Sequence, residues 1–314
     1  MEDESFLATP NDPWKDTFQG ITGVDWDEES PNGLNWGLET IQAPSAWDYN
    51  DRFHKIKIGV VDNGFDWDHQ DLTISILNSA EANKENHGTH TSGIIGATAN
   101  NGTGITGIVW NKTLYGVDVA LGKDKEAEKK KHTSVTSCYA GLEMALRNGC
   151  KVVNFSIGKD LSNNQNDIFE DGYITTLYLL KWFDELNRRN FIICMSAGND
   201  SHNCNRAGYF ASISEDDFDG YRERFINDGG DASFFVDSFD EISNNFIIVA
   251  AVDKPKSGNY KLTDFSNYGD NVSIAAPGRE IFSTIVTGGL DGSYGNMGGT
   301  SMASPIVAGV TSLV

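Results

Sequence analysis

From residue 56 onward the chain alternates two kinds of segment. Short runs rich in β-branched residues fall near 56–61, 114–120, 151–157, 191–196, 246–252 and 272–275. Longer stretches that read as helices lie near 87–98, 134–148, 173–188 and from 302 onward. Strands separated by helices return to the sheet by crossovers, so the alternation predicts a mostly parallel central sheet. Helices then cover both faces, which is a three-layer α/β fold. Val135, Tyr139, Leu142 and Leu146 recur at helical spacing and should face the core. No internal repeat interrupts the pattern. At 314 residues, with 39% hydrophobic and 11% aromatic side chains, the chain can bury the core of one large domain.

Three segments carry the chemistry. The run Ile58, Val60, Val61 reads as a buried strand that stops at Asp62, followed by the turn signal Asn63-Gly64. A carboxylate at the C-terminal end of such a strand lies where open α/β sheets place their chemistry, although it can also simply cap the turn. The second segment is Asn86-His87-Gly88-Thr89-His90-Thr91-Ser92-Gly93, whose small residues allow close packing and whose His87 starts a helix. A zinc pair of His87 and His90 is the competing reading. The zinc-hydrolase pattern needs histidines four apart with an adjacent glutamate, and Gly88 and Thr89 fill those places. The third segment is Gly299-Thr300-Ser301-Met302-Ala303-Ser304-Pro305, then an apolar helix-forming run. A hydroxyl at a helix N-terminus sits beside unsatisfied N–H groups and the positive end of the dipole, which favours an oxyanion forming there. Asp62, His87 and Ser301 together supply an orienting carboxylate, a general base and a nucleophile.

The order Asp, His, Ser is that of subtilisin, while chymotrypsin and the α/β-hydrolases order the same groups differently. With its three motifs in that order, the chain resembles the subtilisin-like serine proteases. The resemblance implies the subtilisin-like fold, serine endopeptidase activity through an acyl-enzyme, protein or peptide substrates, and no cofactor for the chemistry. The strand 191–196 followed by Ala197-Gly198-Asn199 looks like the family segment whose asparagine donates to the oxyanion. Asn199 is therefore the expected donor, with the Ser301 backbone N–H; a plain turn residue is the simpler reading. Val152 to Gly158 looks like the strand that lines the primary specificity pocket and pairs with substrate backbone. That makes Ser156, Ile157 and Gly158 one candidate wall, and Ser196, Ala197 and Gly198 the other. Asp71 and the loop containing Asn100 and Asn101 match positions of a stabilising calcium site in some members. Hard oxygens suit that ion, and the same loop can be only a helix stop. The resemblance divides the chain into an acidic arm, 1–31, and a catalytic domain, 32–314, with an insertion near 201–245. That insertion either overhangs the cleft or is a surface excursion; the charged loop 122–132 reads as solvated surface. The domain looks cut at its C-terminal end, and a folding pro-region is expected outside this chain.

The net charge of −21 argues against nucleic-acid binding through a basic surface. No apolar stretch has the length to span a bilayer, and the N-terminus lacks the basic start and apolar core of a signal peptide. Because the family is mostly exported, an extracellular or cell-surface, bacterial protein with its leader removed is the expectation; a cytoplasmic one is the alternative. Cys138, Cys150, Cys194 and Cys204 show no metal-type spacing, and Cys194–Cys204 is the candidate disulfide. Asn154 and Asn199 both stand in glycan-acceptor triplets, and a glycan on Asn199 would block the oxyanion site. An esterase or transpeptidase could use the same three groups. A catalytically silent binding module on the same fold is the reading from another class.

Overall fold

The computed structural model describes residues 10–12, 36–49, 56–78, 84–120, 135–157, 190–204, 215–231, 244–254, 259–286 and 293–314. The expected helix near 173–188, the loop 122–132 and most of the arm lie outside them. Seven strands form one sheet: β1 (Lys57–Asp62), β2 (Ile74–Ile76), β3 (Leu114–Asp118), β4 (Cys150–Phe155), β5 (Ile192–Ser196), β6 (Phe246–Val252) and β7 (Ile274–Pro277). Their order is β2-β3-β1-β4-β5-β6-β7, and every neighbouring pair is parallel. An antiparallel hairpin, β8 (Ile281–Thr284) with β9 (Tyr294–Met297), follows the sheet.

The side-chain alternation of a strand distributes the core to two faces. Ile58 and Val60 of β1 pack on one side with Ile94 and Ile95 of α3 (Asn86–Gly96) and Met302 and Ile306 of α6 (Thr300–Thr311). Val61 points the other way, to Tyr139, Leu142 and Leu146 of α4 (Val135–Arg147). Burial on both faces explains why β1 is an apolar run without polar alternation. Within the region 201–245, residues Glu215–Asn227 form α5. It buries Phe218 and Tyr221 against Phe191 and Phe246, so this part of the insertion belongs to the α4 face of the core.

The segment before β1 folds into two short helices, α1 (Trp36–Thr40) and α2 (Ala43–Trp47). They are pinned by indole N–H groups, Trp36 donating to the Arg279 carbonyl (3.1 Å) and Trp47 to that of Ile108 (3.0 Å). All four cysteines are buried free thiols, so the Cys194–Cys204 bridge does not form. Burial pushes the Cys150 thiol up to about 11 and that of Cys194 to about 12, which keeps both protonated. Among the described residues no helix is long and apolar enough to cross a membrane.

Candidate active site

Parallel strands aim their C-terminal ends the same way, and β1, β4 and β5 deliver Asp62, Ser156 and the 197–199 turn to one end of the sheet. Asp62 is fully buried. The α3 helix starts close beside it because its second and third residues are His87 and Gly88; a Cβ at Gly88 would lie 2.2 Å from the Gly64 carbonyl oxygen. That approach sets His87 Nδ1 at 2.6 Å from Asp62 Oδ1. The geometry makes Nδ1 the protonated nitrogen and leaves Nε2 as the base. Burial pulls the His87 pKa down, but the Asp62 charge and hydrogen bond outweigh it, and the net shift is upward. The ring is 31% exposed, so its other edge reaches the cleft.

Ser301 is the second residue of α6, as the motif predicts. Its helix contains Pro305, which has no N–H to return to the Ser301 carbonyl four residues back. Ser156 fills that gap: its hydroxyl donates to the Ser301 carbonyl at 3.0 Å. Reciprocally, the Ser301 hydroxyl donates to the Ser156 carbonyl at 3.0 Å. Behind this pair lies fully buried Asn154, whose Nδ2 donates to Ser156 Oγ (3.0 Å) and whose Oδ1 accepts from Ser304 Oγ (2.8 Å). Burial also removes Asn154 as a glycan acceptor in the folded chain. Asn154 and Ser304 had no catalytic signal in the sequence, because their pairing spans 150 residues.

Asn199 is oriented by its neighbour in α6. Its Oδ1 accepts from the Thr300 N–H (2.8 Å) and the Thr300 hydroxyl (3.0 Å), and Thr300 Oγ1 accepts from the Gly198 N–H (3.1 Å). With the oxygen held there, the Nδ2 group is turned away from Thr300 and available as a donor. A buried amide, Asn267, braces the same turn: its Oδ1 accepts from the N–H groups of Asp200 and His202, and its Nδ2 donates to the Ala197 carbonyl. Of the candidate pocket walls, residues 156–157 and 196–198 lie beside each other where β4 and β5 end; Gly158 lies outside the described residues.

His90 does not join His87. Its Nε2 faces the carbonyls of Ile281 (3.0 Å) and Gly295 (3.1 Å) in the β8–β9 hairpin. Burial lowers its pKa to about 4, so it is neutral and its polar edge is committed to the hairpin. The zinc reading of the two histidines is thereby overturned, and among the described residues no group of three His, Cys, Asp or Glu side chains could hold a metal ion.

The candidate calcium residues meet at the C-terminal end of α3. Asp71 is buried and accepts from Asn101 Nδ2 (2.7 Å), the Ile105 N–H (3.0 Å) and the Tyr294 hydroxyl (3.2 Å). Asn100 turns its amide oxygen to the Asn11 N–H (3.1 Å), so Asn101 is the loop asparagine that reaches Asp71. Asp12, missed in the sequence because it lies in the arm, is buried beside them and accepts from the N–H groups of residues 100, 101 and 102. No lysine or arginine pairs with Asp12 or Asp71 among the described residues. Burial pushes Asp71 up to about 7, with the nearby Asp12 charge adding to it against the three hydrogen bonds. Two buried carboxylates without a cationic side chain are the oxygen chemistry a hard divalent cation takes, and each of their oxygens here accepts hydrogen bonds from the loop.

Comparison with known proteins gives a family. Residues 54–314 match the model of the Subtilase family. The chain is 27% identical to Thermitase from Thermoactinomyces vulgaris, over 98% of this chain and 85% of that protein. It is 30% identical to Subtilisin Savinase from Lederbergia lenta, over 89% of this chain and 83% of that one. A solved protease structure from Pseudoalteromonas arctica has the same fold, with a TM-score of 0.61 at 24% identity, covering 98% of this chain and 86% of that chain.

Proposed function

Because the chain belongs to the subtilase family of serine endopeptidases, we propose that Asp62, His87 and Ser301 form its catalytic triad and cleave peptide bonds through an acyl-enzyme. The observation that carries this is the 2.6 Å contact of buried Asp62 with His87 Nδ1, taken together with Ser301 at the start of α6. On substrate binding the Ser301 hydroxyl turns from the Ser156 carbonyl toward His87 Nε2, which takes its proton as Oγ attacks the scissile carbonyl. Asp62 holds the tautomer and stabilises the imidazolium. The oxyanion is received by Asn199 Nδ2 and the Ser301 N–H. His87 then protonates the leaving amine, and water releases the acyl group.

Ser156, Ile157 and Gly158 with Ser196, Ala197 and Gly198 frame the primary pocket in this reading, and the substrate is an extended polypeptide. A calcium ion would be held by the carboxylates of Asp12 and Asp71, with the Asn101 amide turned over to present its oxygen in place of the Nδ2 group now on Asp71; its contribution is charge neutralisation that ties the arm to the 100–105 loop, with no part in the chemistry. Secretion is the setting that suits the chain, as for the relative named Minor extracellular protease Epr of Bacillus subtilis.

Labelling with a fluorophosphonate, read by peptide mass spectrometry, tests the triad. One adduct on Ser301, absent in Ser301→Ala and weak in His87→Ala, is the expected result. A folded protein with no adduct, or with an adduct elsewhere, refutes it.

A further inference from the structure

The triad carboxylate has a second oxygen, and one buried side chain serves it. Asp62 Oδ1 carries both the His87 contact (2.6 Å) and the Asn63 N–H (2.7 Å). Oδ2 faces the Thr91 hydroxyl at 3.1 Å. Thr91 stands one helical turn after His87 in α3, so a single rigid element sets both the imidazole and the hydroxyl against the same carboxylate. Both Thr91 and Asp62 are fully buried, so water does not compete for that oxygen.

We infer that Thr91 is a positioning residue for the reaction: its hydroxyl donates to Asp62 Oδ2 and holds the carboxylate plane in the rotation that presents Oδ1 to His87. The inference rests on the triad proposed above. A carboxylate can turn about its Cβ–Cγ bond and exchange its oxygens. With donors fixed on both oxygens, that turn breaks three hydrogen bonds in a buried site. The hydroxyl also withdraws charge from the carboxylate and so moderates how strongly Asp62 favours the protonated imidazole. The other titratable groups facing the pair are His90 on the same helix, which is neutral, and Asp118 at the end of β3, whose Oδ1 accepts from the Gly64 and Ala120 N–H groups.

The same proton has a rival acceptor. Thr91 Oγ1 also lies 3.2 Å from the Gly88 carbonyl, the back-bond that threonine commonly makes inside helices. A hydroxyl has one proton, so the two uses make opposite predictions. Thr91→Val keeps the shape and removes the donor, while Thr91→Ser keeps the donor and removes a methyl group. If the proton serves Asp62, Thr91→Val lowers kcat about ten-fold with KM unchanged. It also moves the acidic limb of the kcat profile to higher pH, because the less satisfied carboxylate holds the imidazolium more tightly. Thr91→Ser stays close to wild type in both. The proton resonance of His87 Hδ1 shifts in Thr91→Val and not in Thr91→Ser, which reads the contact without turnover. Should Thr91→Val fold poorly, Thr91→Ala against Thr91→Ser gives the same comparison. Wild-type kcat, pH profile and Hδ1 resonance in Thr91→Val overturn the assignment and give the proton to Gly88. Equal losses in the valine and serine variants also overturn it, since packing would then be the role. Fluorophosphonate labelling of the wild type separates the two levels: no adduct on Ser301 removes the triad and this inference together, whereas a labelled wild type with an indifferent Thr91→Val removes this inference alone.

Discussion

At the residue scale, the site depends on which atom of each polar side chain is already engaged. Thr300 occupies the Asn199 oxygen, so the amide cannot turn over without losing two bonds, and in the proposed mechanism that leaves Nδ2 as the donor. Asn199→Leu should therefore lower kcat by about a hundred- to a thousand-fold with little change in KM, the loss known for one such donor in subtilisin. Steady-state kinetics on a peptide substrate checks it; a raised KM at constant kcat would instead make Asn199 a ground-state binding residue. His90 illustrates the reverse economy, a buried histidine kept neutral. Its pKa is about 4 in the folded chain against an ordinary 6.5, so the unfolded chain takes up the proton first. Its contribution to stability is complete above about pH 6.5 and is lost as the pH falls toward 4, on the order of 3 kcal/mol in all. Urea unfolding across that window should show a steeper loss in wild type than in His90→Gln.

At the element scale, α6 is attached to β4 by a defect in the helix. Pro305 removes one helical hydrogen bond, and the free Ser301 carbonyl is taken by Ser156. The same substitution of partners fixes the Ser301 backbone against the end of β4. Ser156→Ala leaves that buried carbonyl unpaired and should cost about 1–3 kcal/mol of stability. Pro305→Ala restores an N–H to the helix, so the double variant should recover part of the loss. A double-mutant cycle by thermal unfolding measures the coupling, and simple additivity would show that the two groups do not share the carbonyl.

At the scale of the whole molecule, the arm and the sheet meet at a buried pair of carboxylates. Asp12 comes from the N-terminal arm, Asp71 from the segment before β2, and Tyr294 from the hairpin that leads into Ser301. Calcium at this place would neutralise charge that the described residues leave unpaired. Added calcium should raise the thermal midpoint, by the equivalent of about 2.7 kcal/mol at a hundred times the dissociation constant, and a chelator should reverse it. Asp71→Asn and Asp12→Asn should blunt the response. A midpoint indifferent to calcium and chelator in the wild type would mean that the hydrogen bonds alone hold the loop.

The alternation of β-branched runs with helical ones determined the parallel sheet, because side-chain periodicity is a local consequence of backbone geometry. Asp62, His87 and Ser301 stood out in the sequence because each ends a strand or starts a helix, and Asn199 because its segment resembles that of the family. The two short helices before β1 and the β8–β9 hairpin were not legible, since their stability comes from distant partners such as the Trp36 contact with Arg279. Only the tertiary structure decided which proton goes to which acceptor. Thr91 looked like one more small residue in a helix, Ser156 like a pocket wall, and Asp12 like part of a polar arm. Each acquires its role from a partner 29, 145 or 88 residues away along the chain. Hydrogen bonds of that reach depend on packing that brings the elements within about 3 Å, and no local pattern encodes such a distance.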